Sequence, residues 1–390
     1  MKKIRILYIH HAIGLGGAPK SLSLLITGLD KSRFEPIVVM PKRVGNDAVK
    51  TLFSEAGAEV IEEVHIRRFT GVNGCPCASL KDRAYAVLSA LPTLMVARKH
   101  TRSIKPDIVH LNTCVLPFAG FGARLAGLGV PIITHVRESV LLNWWGRILA
   151  LLNRTTTDWF VGIDQSGLDR INTPPDSSSV VPNFVDSRES QPNLEVAAKL
   201  REQFNCSKDD VLFASICRIT ESNGSLEMAQ FLEAHKKTLP KNCRFVFCGF
   251  KEREGVYVKD TLALIEKIPN AFAMDFTSDV ASLIAASDVV MAPFKSAHSA
   301  RVIIEGGTMG KPGLITDFDN LLEQIIVGET GLAFNFEDPE SLMSAINQFA
   351  ADPQTRKTMG EAAKQFAADN YSIETNVARI QGLYLDLCGR

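Results

Sequence analysis

Ile4-Arg5-Ile6-Leu7-Tyr8-Ile9-His10-His11-Ala12-Ile13-Gly14-Leu15-Gly16-Gly17-Ala18-Pro19-Lys20-Ser21 joins an apolar run to a glycine-rich turn and then to the start of a helix-forming stretch. A short, continuously apolar run that ends in such a turn is the pattern of a strand covered on both faces. The unit recurs. Strand-like runs cover residues 4–10, 35–40, 107–111, 131–135 and 159–163, separated by helical stretches at 21–29, 48–56, 83–102 and 118–127. This alternation predicts a parallel sheet with helices on both sides, a Rossmann-like half. Beyond Val180-Val181-Pro182-Asn183-Phe184-Val185-Asp186, core-building residues thin out through Ser187, Arg188, Glu189 and Ser190, which marks a boundary. The alternation restarts with strands at 211–216, 244–248, 272–275, 289–292 and 313–316 and helices at 224–237, 258–268, 280–286 and 300–309, a second doubly wound unit. Residues 339–351, 355–369 and 373–387 read as helices without strands, the last placed to cross back onto the first unit. The expected division is therefore residues 1–182, residues 183–370 and a C-terminal helix, 371–390.

Composition narrows the function classes. Of 390 residues 46% are hydrophobic and 22% charged, enough apolar material for two cores and too much for a disordered chain. Lys plus Arg equals Asp plus Glu at 43 each, so no global field draws the chain to nucleic acid. Met1-Lys2-Lys3 is basic like a signal peptide, but the apolar run after it is short, carries Arg5 and leads to no small-residue cleavage site. No run approaches the ~18 apolar residues of a spanning helix. A cytoplasmic protein, peripheral on the membrane face at most, is expected. The eight cysteines are scattered, several within apolar strands, which suits free thiols in a reducing compartment. Cys75-Pro76-Cys77 lacks the spacing and the second pair of a zinc site.

In open parallel sheets ligands bind where strands end, so the strand-to-helix turns carry the chemistry. Gly16 and Gly17 allow close approach of backbone to a phosphate or sugar, although Pro19 spoils both a dinucleotide fingerprint and a P-loop. A connection without a ligand explains that turn equally well. In the second half, Arg218 follows a strand and can fork onto a diphosphate, or else pair with Glu221. Later, Phe294-Lys295-Ser296-Ala297-His298-Ser299-Ala300 opens a helix carrying Arg301 and Glu305 one turn apart. Backbone N–H groups near Ser299, Ala300 and Arg301 suit phosphate, and Glu305 can accept both hydroxyls of a ribose; an i,i+4 pair of Arg301 with Glu305 competes. His10, His11, His110 and His135 stand at strand ends, where burial in a core is the competing outcome. Asn183 and Asp186 suit a hinge turn.

Taken together, two Rossmann-like halves, Gly16-Gly17-Ala18, Pro106-Asp107-Ile108-Val109-His110, Ile133-Thr134-His135, Val181-Pro182-Asn183-Phe184-Val185-Asp186, Ala286-Ser287-Asp288-Val289, Arg218, and Glu305 with Gly310-Lys311-Pro312 resemble the GT-B nucleotide-sugar glycosyltransferases. The closer resemblance is to the retaining, glycogen-synthase-like group 1 family, glycosyltransferase family 4-like, and it covers nearly the whole chain. The resemblance implies two halves facing across a cleft, an acceptor-binding N-terminal domain and a nucleotide-sugar-binding C-terminal one. It makes His135, Arg218 and Glu305 the catalytic residues: His135 beside the reacting sugar, Arg218 on the diphosphate, Glu305 on the ribose. Gly16, Gly17, Asn223, His298, Ser299, Ala300 and Arg301 complete the donor site. The donor, UDP- or GDP-linked, is a substrate, and no cofactor is expected. Nor is a metal, since no Asp-x-Asp pair stands where it could hold a cation to the diphosphate.

Two positions depart from the family. A Lys five residues after the diphosphate Arg is replaced by Asn223, and a Glu eight residues before the ribose Glu by Ala297. His298 and Arg301 can take over part of those roles. The expected activity is retaining transfer of a sugar to an acceptor hydroxyl in bacterial polysaccharide or envelope glycan synthesis. Its rival is a nucleotide-sugar-binding protein of the same fold without transfer, and a remoter one is an NADP-dependent enzyme built on the first glycine turn. Trp144, Trp145 and Trp159, an apolar repeat between Arg137 and Arg154, and the basic bias of Lys81, Arg83, Arg98, Lys99, Arg102 and Lys105 suit an anionic membrane surface and a lipid-linked glycan acceptor. Helices that cover a sheet need apolar faces too.

Overall fold

The computed structural model describes residues 2–73, 79–186, 191–251 and 254–389. Cys75-Pro76-Cys77 and the boundary residues Ser187 to Ser190 lie outside the described residues. The chain divides into two units, Met1–Phe184 with Ile373–Arg390, and Val185–Ser372.

The first unit holds a parallel sheet of seven strands: β1 (Ile4–Ile9), β2 (Phe34–Pro41), β3 (Glu59–Glu63), β4 (Ile108–Leu111), β5 (Ile132–Val136), β6 (Trp159–Gly162) and β7 (Ser178–Val180). Their order is β3-β2-β1-β4-β5-β6-β7, so the chain moves outward from β1 in one direction and then, from β4, in the other. The central strands are apolar along their whole length because helices cover both faces: Ile6, Tyr8, Val38 and Ile108 pack on one side, Leu7, Ile9, Val39 and Val109 on the other. The C-terminal helix Ile373–Leu387 belongs to this unit, burying Ile373, Val377, Ile380 and Tyr384 in the core of β1 and β2.

The second unit repeats the plan with six parallel strands: β8 (Val211–Ile216), β9 (Cys243–Phe250), β10 (Ala271–Asp275), β11 (Val289–Ala292), β12 (Gly313–Thr316) and β13 (Gly331–Phe334), in the order β10-β9-β8-β11-β12-β13. Phe213, Phe245 and Phe247 lie fully buried at its centre. Cys243 and Cys248 pack in its strands as small apolar groups, and burial pushes their thiols up to about 12 and about 11. In both sheets the winding reverses beside the first strand, between β1 and β4 and between β8 and β11. In open parallel sheets such a reversal is where flanking helices part at the carboxyl ends of the strands and where ligands bind.

Candidate active site

In the second unit the reversal is flanked by the turns after β8 and β11. Arg218 follows β8 and is exposed; among the described residues it makes no ion pair, so the competing pair with Glu221 does not form. The turn is held close to its neighbour by Gly224, whose backbone sits at φ 67 and where any Cβ would collide with the Pro293 carbonyl oxygen. Lys295 donates its N–H to the Ser222 carbonyl at 3.0 Å, tying the two turns together through backbone. The side chain of Asn223 is 9% exposed. Its amide nitrogen donates to the Arg218 carbonyl at 2.6 Å, and its oxygen lies 2.9 Å from His298 Nε2. Asn223 thus shapes the backbone that carries Arg218, and a Lys placed there would lose both contacts.

The loop after β11 leads into the helix Arg301–Thr308. His298 stacks flat on Phe294, ring centroids 4.0 Å apart, and its Nδ1 lies 2.8 Å from the Ser296 carbonyl. The Ala300 N–H, expected to face phosphate, donates instead to Gln324 Oε1 at 2.9 Å, while Gln324 Nε2 donates to Ser299 Oγ at 2.8 Å. Gln324 shapes this candidate loop with no motif around it, from 24 residues away in sequence. Arg301 Nε and Glu305 Oε1 pair at 3.1 Å, with side chains only 18% and 16% exposed. The pair that competed with the ribose role therefore forms, half-sunk rather than on the open surface.

In the first unit Gly16 caps the helix Gly17–Gly28, and a Cβ at either glycine would meet open space. The preceding turn is held by the fully buried Asn46, which accepts from the Gly14 N–H at 2.8 Å and donates to the Pro41 carbonyl at 2.8 Å. His135 is the last residue but one of β5 and is 1% exposed, its ring stacked on His110 at 5.5 Å. Arg137 donates to His135 Nδ1 at 3.3 Å, which puts the ring proton on Nε2. Arg137 also donates to Asn112 and Asn183, whereas Glu138 turns away to accept from the Thr113 hydroxyl at 2.7 Å. His110 Nδ1 meets the Tyr384 hydroxyl at 2.7 Å, and Tyr384 meets Tyr8 at 2.9 Å. His10, His110 and His135 are thus core histidines at strand ends.

Burial, reinforced by the Arg137 charge, holds the His135 and His10 rings far below the usual imidazole range and lowers His110 to about 3. These rings fold neutral but take up protons near pH ~6.5 in the unfolded chain. Their contribution is present above that pH and lost as pH falls below it, by up to ~1.4 kcal/mol per ring per pH unit. The thermal unfolding midpoint should fall between about pH 7.5 and 5, and His110→Gln should flatten the fall. A midpoint with the same pH dependence in the variant would place the acid sensitivity elsewhere.

The tryptophans divide. Trp145 is 6% exposed, stacks on Phe69 and donates to Thr70 at 2.9 Å, so it is core. Trp159 donates to Ser179, while Trp144 is 53% exposed with the Arg83 guanidinium 4.4 Å from its ring. The larger exposed apolar row is on the helix Leu80–Ile104, where Tyr85, Leu88, Leu91 and Met95 share one side. Among the described residues no helix is long and apolar enough to cross a membrane, and no three His, Cys, Asp or Glu side chains group as a metal site.

Known families match both units. The model described as "Glycosyltransferase Family 4" matches residues 15–189, and "Glycosyl transferases group 1" matches residues 196–366. The chain is 30% identical over 150 residues to D-inositol 3-phosphate glycosyltransferase of Corynebacterium urealyticum, a match covering 37% of this chain and only 35% of that protein's length. It is 22% identical over 324 residues to UDP-Gal:alpha-D-GlcNAc-diphosphoundecaprenol alpha-1,3-galactosyltransferase of Escherichia coli, covering 78% of this chain and 82% of that one. The structure of HepE from Anabaena with UDP and glucose has the same fold, with a TM-score of 0.77 at 19% identity over 97% of this chain and 99% of that one. A glycosyltransferase from Rickettsia africae aligns with a TM-score of 0.79 at 17% identity over 99% of both chains. The architecture is GT-B.

Proposed function

The chain belongs to the group 1 glycosyltransferases, and we propose that it moves a sugar from a nucleotide-diphosphate donor, UDP- or GDP-linked, to an acceptor hydroxyl with retention of configuration. One observation carries this reading. Arg218 and His298 occupy the two turns that flank the winding reversal between β8 and β11, the place where such a sheet receives a nucleotide, and the Arg301–Glu305 pair lies on the helix that opens from the second turn. In the reaction, the bond from the anomeric carbon to the phosphate oxygen breaks while the acceptor oxygen bonds to the same face. The acceptor's proton passes to the departing phosphate. Arg218 stabilises the charge that develops there, and no separate base is needed. Glu305 holds the ribose hydroxyls after Arg301 yields one carboxylate oxygen. On this reading Gly16 and Gly17 serve the donor, and His135, buried in the core, acts only through Arg137, which donates to its Nδ1.

Glu305→Gln keeps the shape and removes the charge from two hydrogen bonds, so nucleotide affinity should weaken by about 1.5–3 kcal/mol. Calorimetry with ribo and 2′-deoxy nucleotides checks it. The parent should discriminate between them more strongly than the variant; equal discrimination would make Glu305 a structural partner of Arg301 alone. The rival without transfer is favoured by Ala297, which supplies no carboxylate, and by Asn223, which is committed to the backbone of Arg218. A panel of nucleotide sugars assayed for donor hydrolysis and glycan transfer separates the two readings.

For the acceptor we propose a lipid-linked glycan of a bacterial envelope. The support is the exposed row Tyr85, Leu88, Leu91 and Met95, flanked on the same helix by Lys81, Arg98 and Arg102, which suits an anionic bilayer. Trp145, on the helix that the sequence suggested for this role, is buried and does not support it. Leu88→Ser with Met95→Ser should at least halve sedimentation with anionic vesicles at low salt and leave nucleotide binding intact. A parent that does not sediment with such vesicles at low salt would favour a soluble acceptor.

A further inference from the structure

His298 stands between two carbonyl oxygens. Its Nδ1 is 2.8 Å from the Ser296 carbonyl, its Nε2 is 2.9 Å from Asn223 Oδ1, and the Asn223 amide nitrogen is 2.6 Å from the Arg218 carbonyl. The chain of three contacts is closed at both ends by backbone oxygens, which only accept. Each contact needs a proton. A neutral imidazole supplies one and the Asn223 amide another, so one contact is left without a donor. Turning the Asn223 amide over does not help: its nitrogen then serves Nε2, and its oxygen faces the Arg218 carbonyl. Only a ring protonated at both nitrogens completes the network.

The free protein opposes that charge. Burial lowers the His298 pKa below its usual value, the Ser296 hydrogen bond works the other way, and the Arg218 guanidinium disfavours a second cation. Arg218 is the charged group that acts on the ring; Lys295 of the same loop is paired with Glu227 at 2.6 Å, and Arg301 with Glu305 at 3.1 Å. An anion beside Arg218 removes the opposition. We infer that His298 takes up a proton when a nucleoside diphosphate group binds, and that the charged ring then fastens the loop after β11 to the turn after β8 through Asn223. The inference rests on the donor site proposed above and assigns that site a proton of its own.

The sign follows from linkage. A group that gains a proton on binding makes affinity fall as pH rises, by at most about tenfold per pH unit. The window opens at the free ring's pKa, below 6.5, and closes at the raised pKa of the complex. Below it the ring is charged already, and above it the ring stays neutral. The probes are UDP-glucose and GDP-mannose, whose diphosphate diesters do not titrate near neutral pH.

Calorimetry at about pH 7 in two buffers of different ionisation enthalpy counts the protons exchanged. Uptake of a fraction of a proton up to one, lost in His298→Gln together with part of the affinity, supports the inference. So do 15N shifts of the saturated complex that show both His298 ring nitrogens protonated. Binding without uptake overturns it, as does uptake that persists in His298→Gln, or a ring with one bare nitrogen in the complex. Failure of both probes to bind overturns the donor-site reading itself, and this inference with it.

Discussion

Arg218→Ala should lower the rate of sugar transfer by ~10²–10³-fold, the usual cost of removing one electrostatic contact to charge that develops in a transition state. The geometry makes this a clean test. Arg218 is exposed at the end of β8, has no ion-pair partner among the described residues, and covers no core, so its loss should leave the melting temperature nearly unchanged. Its main chain stays in place because Asn223 and Gly224 hold it, not the guanidinium. Most of the loss should appear in kcat, since the charge on the departing phosphate grows during bond breaking. Arg218→Lys should recover only part of it, because an ammonium cannot fork onto two oxygens. Kinetics equal to the parent's would remove Arg218 from the diphosphate.

Tyr384→Ala is expected to be the most damaging single change to the first unit. The side chain is fully buried, packs edge-on against Phe34 and closes the core of β1 and β2 from the last helix. Truncating such an aromatic costs about 3–5 kcal/mol. The hydroxyl also serves both His110 Nδ1 and the Tyr8 hydroxyl, and Tyr384→Phe, which keeps the ring, should cost about 1–3 kcal/mol for those groups alone. For a unit of this size the alanine variant should melt about 10 °C lower. A shift within about 2 °C would mean that the C-terminal helix is an appendage and not part of the core.

What could be read from the sequence follows the physics of burial. The central strands β1, β2, β4, β5, β8, β9, β11 and β12 are legible because helices on both sides make them apolar without interruption. The strands that escaped, β3, β7 and β13, are edges: Glu59–Glu63 carries three acids and is half exposed, Ser178–Val180 has three residues, and Gly331–Phe334 opens on a glycine. The proposed site positions Arg218, His298 and Glu305 could be singled out because each follows a strand that ends in a distinctive turn. Their partners could not. Asn223 reaches His298 across 75 residues, Gln324 reaches Ala300 across 24, and Tyr384 reaches His110 across 274, contacts that no local spacing encodes. The exposed apolar row escaped for a related reason. An apolar repeat marks a helix that covers something, but only the fold tells whether its side is sheet, as for Trp145, or solvent, as for Leu88.

The central claim is that the turns flanking β8 and β11 deliver a sugar from a nucleotide diphosphate, and proton NMR of a nucleotide-sugar panel incubated with the protein tests it most directly. One donor should be consumed, the matching nucleoside diphosphate should accumulate, the sugar should first appear with the donor's anomeric configuration, and all three signals should vanish in Arg218→Ala. A donor that binds but is never consumed, with or without acceptor glycan present, would contradict it and leave a nucleotide-sugar-binding protein on a glycosyltransferase fold.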